Sequence, residues 1–306
     1  METPTPLEPA PAALCEFAGR DDLWLKREDV NEIGVFKWRG ALPVVEALAR
    51  DGHEAVVTAS TGNHGAAVAW ACRSAGVAAI VFVPPGAAEQ KLANLHRLGA
   101  DVRVAGGDLD DAKDAARAFA DENGLRFFED GAEPLQYDAY GAIGDEIADQ
   151  CPTALAAVVV PIGNGALAAG VGAAIARRSP ETLRIGVVAK DMPVMAESYE
   201  TGRPLERESG STIADGLAVR VAISLAVERL DGAVDRMVRV SERELASALA
   251  ACHDAGVAVE PSASASLAAV RHAAPDGDAC VLVVTGRNVD ETLVERTRSD
   301  LASFPD

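Results

Sequence analysis

Five lysines, Lys26, Lys37, Lys91, Lys113 and Lys190, stand among far more arginines, and one of them, Lys37, lies between Phe36 and Trp38 in the run GVFKWRGA. Partial burial there would lower the pKa of the amine and leave a nucleophile able to form an imine with a carbonyl. The plainer alternative is a lysine whose stem packs between aromatic rings while its ammonium reaches water. Three loops offer groups that would complement such an amine. The segment STGNHGAA, 60–67, follows the apolar run EAVVTA and opens a helical pattern. It therefore reads as a polar loop at the carboxyl end of a strand, where parallel sheets bind ligands.

In that first loop the backbone N–H groups, with Ser60 and Thr61, suit a carboxylate at a helix N-terminus, and Asn63 suits a phenolate oxygen. A capped turn with no ligand fits the same residues. The second loop, PIGNGAL at 161–167, comes after AAVVV and again opens a helix. Its glycines let backbone N–H groups approach an anion such as phosphate, although any tight strand-to-helix turn can mimic the pattern. The third, VTGRNVD at 284–290, closes the apolar run CVLVVT and presents the Thr285 hydroxyl. No metal-ligand spacing or serine-histidine-acid arrangement competes with these loops, and His53, His96, His253 and His272 read as packing or surface residues.

Elements must bring the loops together. Short β-branched runs alternate with alanine-rich amphipathic stretches: AVVTAS, GAAVAWACRSAG, AAIVFVPP, EQKLANLHRLGA, DVRVAGG, and later AAVVVPIG, GALAAGVGAAIARR, LRIGVVAK and CVLVVTG. This βαβ rhythm predicts an α/β fold of mainly parallel sheets covered by helices on both faces. It occurs in two blocks, so two lobes are expected: a small one over 42–135 and a larger one built from 1–41 plus 136–306. The charge- and glycine-rich stretch 201–220 reads as a surface excursion that returns to the site.

Composition narrows the partners. At 306 residues and 49% hydrophobic the chain can bury a large core. Its formal net charge of −19 disfavours nucleic acid and anionic membranes, which need a basic face. The five cysteines are scattered without a C-x-x-C pair, and the N-terminus lacks a basic segment followed by an apolar run. Reduced thiols and a cytoplasmic location, with no membrane attachment, are therefore expected.

Seven segments, WLKRED (24–29), VFKWRGA (35–41), STGNHGAA (60–67), VPIGNGAL (160–167), TIADGLAV (212–219), VEPSAS (259–264) and VTGRNVD (284–290), stand in the order found in the fold type II pyridoxal phosphate enzymes. The chain resembles that family, and within it the serine/threonine dehydratase and serine racemase group. The resemblance implies a two-lobed, three-layer αβα, tryptophan synthase β-like fold, pyridoxal 5'-phosphate as cofactor, and a homodimer. It implies that Lys37 is the Schiff-base lysine and the general base at the substrate α-carbon. Phe36, Asn63, Gly163, Asn164, Gly165, Ala166, Leu167, Glu260 and Thr285 fall at cofactor-binding positions, with Asn63 at the ring hydroxyl, 163–167 at the phosphate and Thr285 at the pyridine nitrogen. Ser60, Thr61, Gly62, Asn63, His64 and Tyr140 fall at substrate positions. The activity implied is an ammonia-lyase that converts a small β-hydroxy amino acid such as L-threonine or L-serine into a 2-oxo acid and ammonia.

Departures from the family pattern bear on this. Val35 stands where relatives usually carry serine or threonine, and Asn164 and Ala166 interrupt the usual run of glycines. Thr61 replaces the serine that serves racemases as second acid, and its methyl group restricts the rotamer, which argues against racemisation. The acidic metal site of some relatives is replaced by AKDMPVM at 189–195, so no divalent cation is expected. EDGAEP at 129–134 and DAYGAIGDE at 138–146 also diverge, which brings Tyr140 forward as a substrate contact, and Arg287 replaces a common glycine in a role read here as structural. The competing readings are a β-replacement synthase, a threonine synthase-like enzyme, and a binding protein without turnover.

Overall fold

The computed structural model describes residues 4–207, 210–275 and 277–306. Glu208 and Ser209, inside the excursion expected at 201–220, lie outside them. The strands in chain order are β1 (Leu7–Pro9), β2 (Leu23–Arg27), β3 (Ala55–Ala59), β4 (Ala78–Val83), β5 (Asp101–Val104), β6 (Arg126–Phe127), β7 (Leu155–Pro161), β8 (Leu183–Ala189), β9 (Arg236–Val240) and β10 (Ala279–Val284). They form two sheets, one of order β1-β2-β10-β7-β8-β9 and one of order β5-β4-β3-β6. Every pairing is parallel except β1 with β2. The chain divides into two compact units, Phe36–Ala139 with the smaller sheet, and Met1–Val35 together with Tyr140–Asp306 with the larger. The α/β architecture of parallel sheets with helical connections matches the expectation.

In the smaller unit, β3 is buried along its whole length, as a central strand covered on both faces must be. The helix Leu109–Glu122 packs Ala116 and Ala120 against Val57, Ile80 and Phe82. Its start is set by Asp108, whose carboxylate accepts from the amides of Asp110 and Asp111. In the larger unit, β10 is likewise buried throughout and pairs with both β2 and β7. The helices Glu242–Asp254 and Pro261–Ala273 cover this sheet through a core that includes Leu245, Leu249, Leu267 and Val270. Ser241 and Glu244 form a reciprocal capping box at the first of them.

A charged cluster lies under β2. Lys26 Nζ, fully buried, donates to Glu146 Oε2 at 2.5 Å, Thr5 O at 2.7 Å and Gln150 Oε1 at 3.1 Å. The Thr5 hydroxyl donates to buried Glu28 at 2.5 Å. All three ammonium protons thus have acceptors, the condition under which a buried lysine stays charged.

Among the described residues no helix is long and apolar enough to cross a membrane. The cysteines are all free thiols; Cys72, Cys252 and Cys280 are buried, and desolvation pushes each of these up to about 12. Burial also pushes the Cys15 thiol up, so titration of the native protein with a chromophoric thiol reagent at pH 8 is expected to modify Cys151 first, Cys15 more slowly, and the other three only after denaturant is added.

Candidate active site

In the smaller unit the site grows from the carboxyl end of β3. Ser60 N still donates to Phe82 O at 3.1 Å, so the loop leaves the sheet only after Ser60. The Ser60 hydroxyl then accepts from Gly62 N at 3.2 Å, and the helix Asn63–Ala75 begins without any side-chain cap. The N-cap, Gly62, has no side chain to offer those first-turn amides, the arrangement that suits an anion at a helix start. A Cβ on Gly65 would come within 2.4 Å of Ser60 O, so glycine is what allows the loop to fold back on its own helix.

Lys37 immediately precedes the helix Trp38–Arg50. Its Nζ lies 4.8 Å from the centroid of Phe36 and donates to Asp130 Oδ2 at 2.7 Å, and 17% of the side chain remains accessible. Neither sequence alternative describes this alone: the stem packs against an aromatic ring, yet the ammonium meets a carboxylate rather than open water. Asp130 is steadied from three sides. Gln136 Nε2 donates to its Oδ1 at 3.1 Å, His64 Nδ1 is 3.5 Å from the same oxygen, and the turn is tied by Gly131 N to Gln136 Oε1 at 2.8 Å and Tyr137 OH to Gly131 O at 2.7 Å.

His64 is buried edge-on to Phe128, with ring centroids 4.9 Å apart and Nε2 3.4 Å from Phe128 O. Burial lowers its pKa against the opposing pull of Asp130. For Asp130, burial acts to raise the pKa, but Lys37, His64 and Gln136 together hold the carboxyl well below the usual carboxylate range. Asp130 was not among the candidates; the only signal was that EDGAEP departs from the family pattern.

In the larger unit the glycine-rich loop follows β7 and opens the helix Ala166–Arg178. A Cβ on Gly163 would meet Gly216 O at 2.2 Å, and Gly165 holds a φ of 96°, which favours glycine. The segment 212–219 closes over this loop, with Gly216 N donating to Ser262 Oγ at 3.0 Å. Asn164 Oδ1 accepts from Ala166 N at 3.1 Å. Its amide oxygen therefore sits where an anion would receive that N–H.

Thr285 directly follows β10, and its Oγ1 is buried with no hydrogen-bond partner among the described residues. A buried hydroxyl left unsatisfied costs about 1–3 kcal/mol unless a ligand completes it. Glu260, the residue before the helix Pro261–Ala273, is buried, and its carboxyl lies against Gly286, where a Cβ would come within 2.8 Å of it. The Glu260 amide donates to Gly286 O at 2.9 Å. Tyr140 is buried in this unit. Val35 forms an antiparallel bridge with Gly286, and Arg287 Nη2 donates to Asn31 O at 3.2 Å. Among the described residues no group of three or more His, Cys, Asp or Glu is placed to hold a metal ion.

Lys37, 60–64 and Asp130 thus gather in one unit, and 163–167, Glu260 and Thr285 are positioned in the other. A family model described as pyridoxal-phosphate dependent enzyme matches residues 1–286. The chain belongs to that family. A pyridoxal-phosphate enzyme needs an amine for the aldehyde, a cradle of amides for the phosphate and a partner for the ring nitrogen. Lys37, the glycine-rich loop and the partnerless Thr285 hydroxyl fit those needs.

This pyridoxal-phosphate enzyme is 34% identical to an L-threonine ammonia-lyase of Thermotoga maritima over 93% of its own length and 71% of that protein. It resembles the solved threonine deaminase of T.th., with 32% identity, a TM-score of 0.87 and 94% of each chain covered. It also resembles the processed form of threonine deaminase isoform 2 from Solanum lycopersicum, with 28% identity, a TM-score of 0.91, and 98% of this chain and 88% of that one covered.

Two outcomes follow for this pyridoxal-phosphate enzyme. Gly163→Ala forces a Cβ onto Gly216 O, so it is expected to weaken cofactor retention and to destabilise the fold by about 1–3 kcal/mol, read by equilibrium dialysis and denaturant midpoint. For His64 the folded pKa lies below the unfolded one, so the unfolded chain binds more protons in that window and stability falls as pH drops below about 6.5. The wild type is expected to lose more stability than His64→Gln between pH 7.5 and pH 5.5 in urea titrations; equal losses would contradict the assignment.

Proposed function

We propose that this chain is a pyridoxal-phosphate-dependent ammonia-lyase that converts L-threonine or L-serine into a 2-oxo acid and ammonia. The observation that carries the reading is the partnerless, buried Thr285 hydroxyl. A neutral hydroxyl facing the ring nitrogen, in place of a carboxylate, leaves the ring less protonated and favours prompt loss of a β-substituent over a long-lived carbanion. The similarity to the L-threonine ammonia-lyase of Thermotoga maritima and to the threonine deaminase of T.th. supports the same reaction.

When bound, the cofactor supplies an electrophilic aldehyde and a ring that takes up the electron pair left at the substrate α-carbon. Lys37 Nζ would hold the cofactor through that aldehyde, and its free amine would take the substrate α-proton as general base. Phe36 packs under the Lys37 amine and restricts its swing. Amides of the uncapped helix start, with Ser60, Thr61 and Gly62, hold the substrate carboxylate, and the Thr61 hydroxyl stands by as a proton carrier. Asn63 donates to the ring hydroxyl, while 163–167 present amides to the phosphate as the Asn164 side chain yields the N–H of Ala166. Glu260 lines the cofactor, and His64 and Tyr140 bound the substrate side chain. The protein is read as a cytoplasmic homodimer, which the free thiols and the family resemblance support.

The test is 2-oxo acid release by the cofactor-loaded protein from L-threonine and L-serine in separate reactions. Lys37→Ala is expected to lower release by roughly 10³-fold or more and to remove the absorption band of the lysine-bound cofactor. Release that survives in Lys37→Ala would sink the assignment.

A further inference from the structure

The lysine assigned to the cofactor comes paired with a carboxylate. Asp130 Oδ2 accepts from Lys37 Nζ at 2.7 Å, and its turn is fixed by Gln136 and Tyr137, so the anion is in place before any ligand arrives. Its other neighbours are Gln136, which is neutral, and His64 at 3.5 Å. Burial lowers the pKa of that imidazole, which favours its neutral form. Under the reading above, Lys37 Nζ would be engaged by the cofactor and, once freed, must be neutral to take the α-proton, so up to that step Asp130 faces no ammonium from Lys37. A partly buried carboxylate that loses its cation is costly and favours whatever cation replaces it.

We propose that Asp130 is a specificity-determining residue that binds a cationic β-substituent, extending this lyase to α-amino acids with an ammonium group in place of the β-hydroxyl. The simplest such substrate is L-2,3-diaminopropionate. The inference rests on the lyase reading and names a substrate class for the same site.

The chemistry of the leaving group agrees with an anion at this place. The Cα–H bond breaks and its proton passes to Lys37 Nζ. The electron pair forms the Cα–Cβ double bond as the Cβ–N bond breaks. A β-ammonium already carries its protons, and with the returning electron pair it departs as neutral ammonia. Water then hydrolyses the remaining enamine, after its tautomerisation, to pyruvate and a second ammonia, so one diaminopropionate and one water give one pyruvate and two ammonia. A hydroxyl, by contrast, must be given a proton to leave as water. Although burial would raise its pKa, Asp130 is held well below the usual carboxylate range by Lys37, His64 and Gln136, so at neutral pH it attracts a cation and has no proton to give.

The experiment compares kcat/KM for pyruvate release from L-2,3-diaminopropionate and from L-serine in the holoenzyme, Asp130→Asn and Asp130→Glu. The wild type is expected to favour the diamino acid. Asp130→Asn should lower that ratio by about tenfold or more, as loss of one partner of a buried charge pair does, and Asp130→Glu should retain part of it. The absorption change on adding L-alanine, which has nothing to eliminate, reports that each variant still holds cofactor and amino acid. Should a variant be too slow to assay, half-saturation of that absorption change by L-2,3-diaminopropionate relative to L-alanine is read instead, with the same expectation. An unchanged ratio in Asp130→Asn, or a wild type that consumes L-serine and leaves the diamino acid untouched, overturns the inference and leaves the lyase reading standing. Release from neither by the wild type, with the L-alanine response intact, overturns the lyase reading and this inference with it.

Discussion

The larger sheet depends on β10 taking its place between β2 and β7. Its residues are all buried and its ladder partners come from near the start and the middle of the chain, so β2 has no parallel neighbour until β10 arrives. The same strand delivers Thr285 and Gly286 at its carboxyl end, where Gly286 is wedged between Val35 and Glu260. Thr285 is therefore set between the last rung of the ladder, Val284 opposite Arg27, and the tightly packed Gly286. There its hydroxyl is buried and has no hydrogen-bond partner among the described residues.

A second constraint shapes the anion sites. Parallel strands all release the chain at the same edge, and each strand-to-helix turn leaves helix amides without carbonyl partners. After β3 and after β7 the helix N-cap is a glycine with no side chain to cap those amides. In each turn a nearby side chain takes one amide, Ser60 that of Gly62 and Asn164 that of Ala166. The two turns look alike in sequence as glycine-containing loops and are alike in this bonding, but the amide taken lies at the N-cap in the first and one residue inside the helix in the second.

Much of this was legible beforehand. The apolar runs at β3, β4, β5, β7, β8 and β10 were read as strands because each is short, bounded by turn residues and rich in β-branched side chains. β1, β2, β6 and β9 are not legible in this way; β1 and β6 are only three and two residues long, and in the other two the reason is charge: LWLKR contains Lys26, buried where Glu146, Gln150 and Thr5 O surround it, and RMVRV carries two arginines on a strand at the edge of the sheet. The turn residues of the candidate site, Lys37, 60–64, 163–167 and Thr285, were visible from their types and setting. Asp130 was not, because a carboxylate in a loop of an acidic chain carries no mark of its own. Its meaning depends on a lysine that precedes it by 93 residues.

The Lys26 cluster also gives the molecule an order of assembly during synthesis. Lys26 leaves the ribosome 120 residues ahead of Glu146, and β2 long before β10. Until both have emerged, the Lys26 ammonium lacks its Glu146 carboxylate and β2 lacks its parallel neighbour. The smaller unit is contiguous, Phe36–Ala139, and is complete before most of the larger one has been synthesised. The nascent chain therefore carries the lysine-bearing unit finished while β2 still waits for β10, an interval in which that strand's edge is open to other partners.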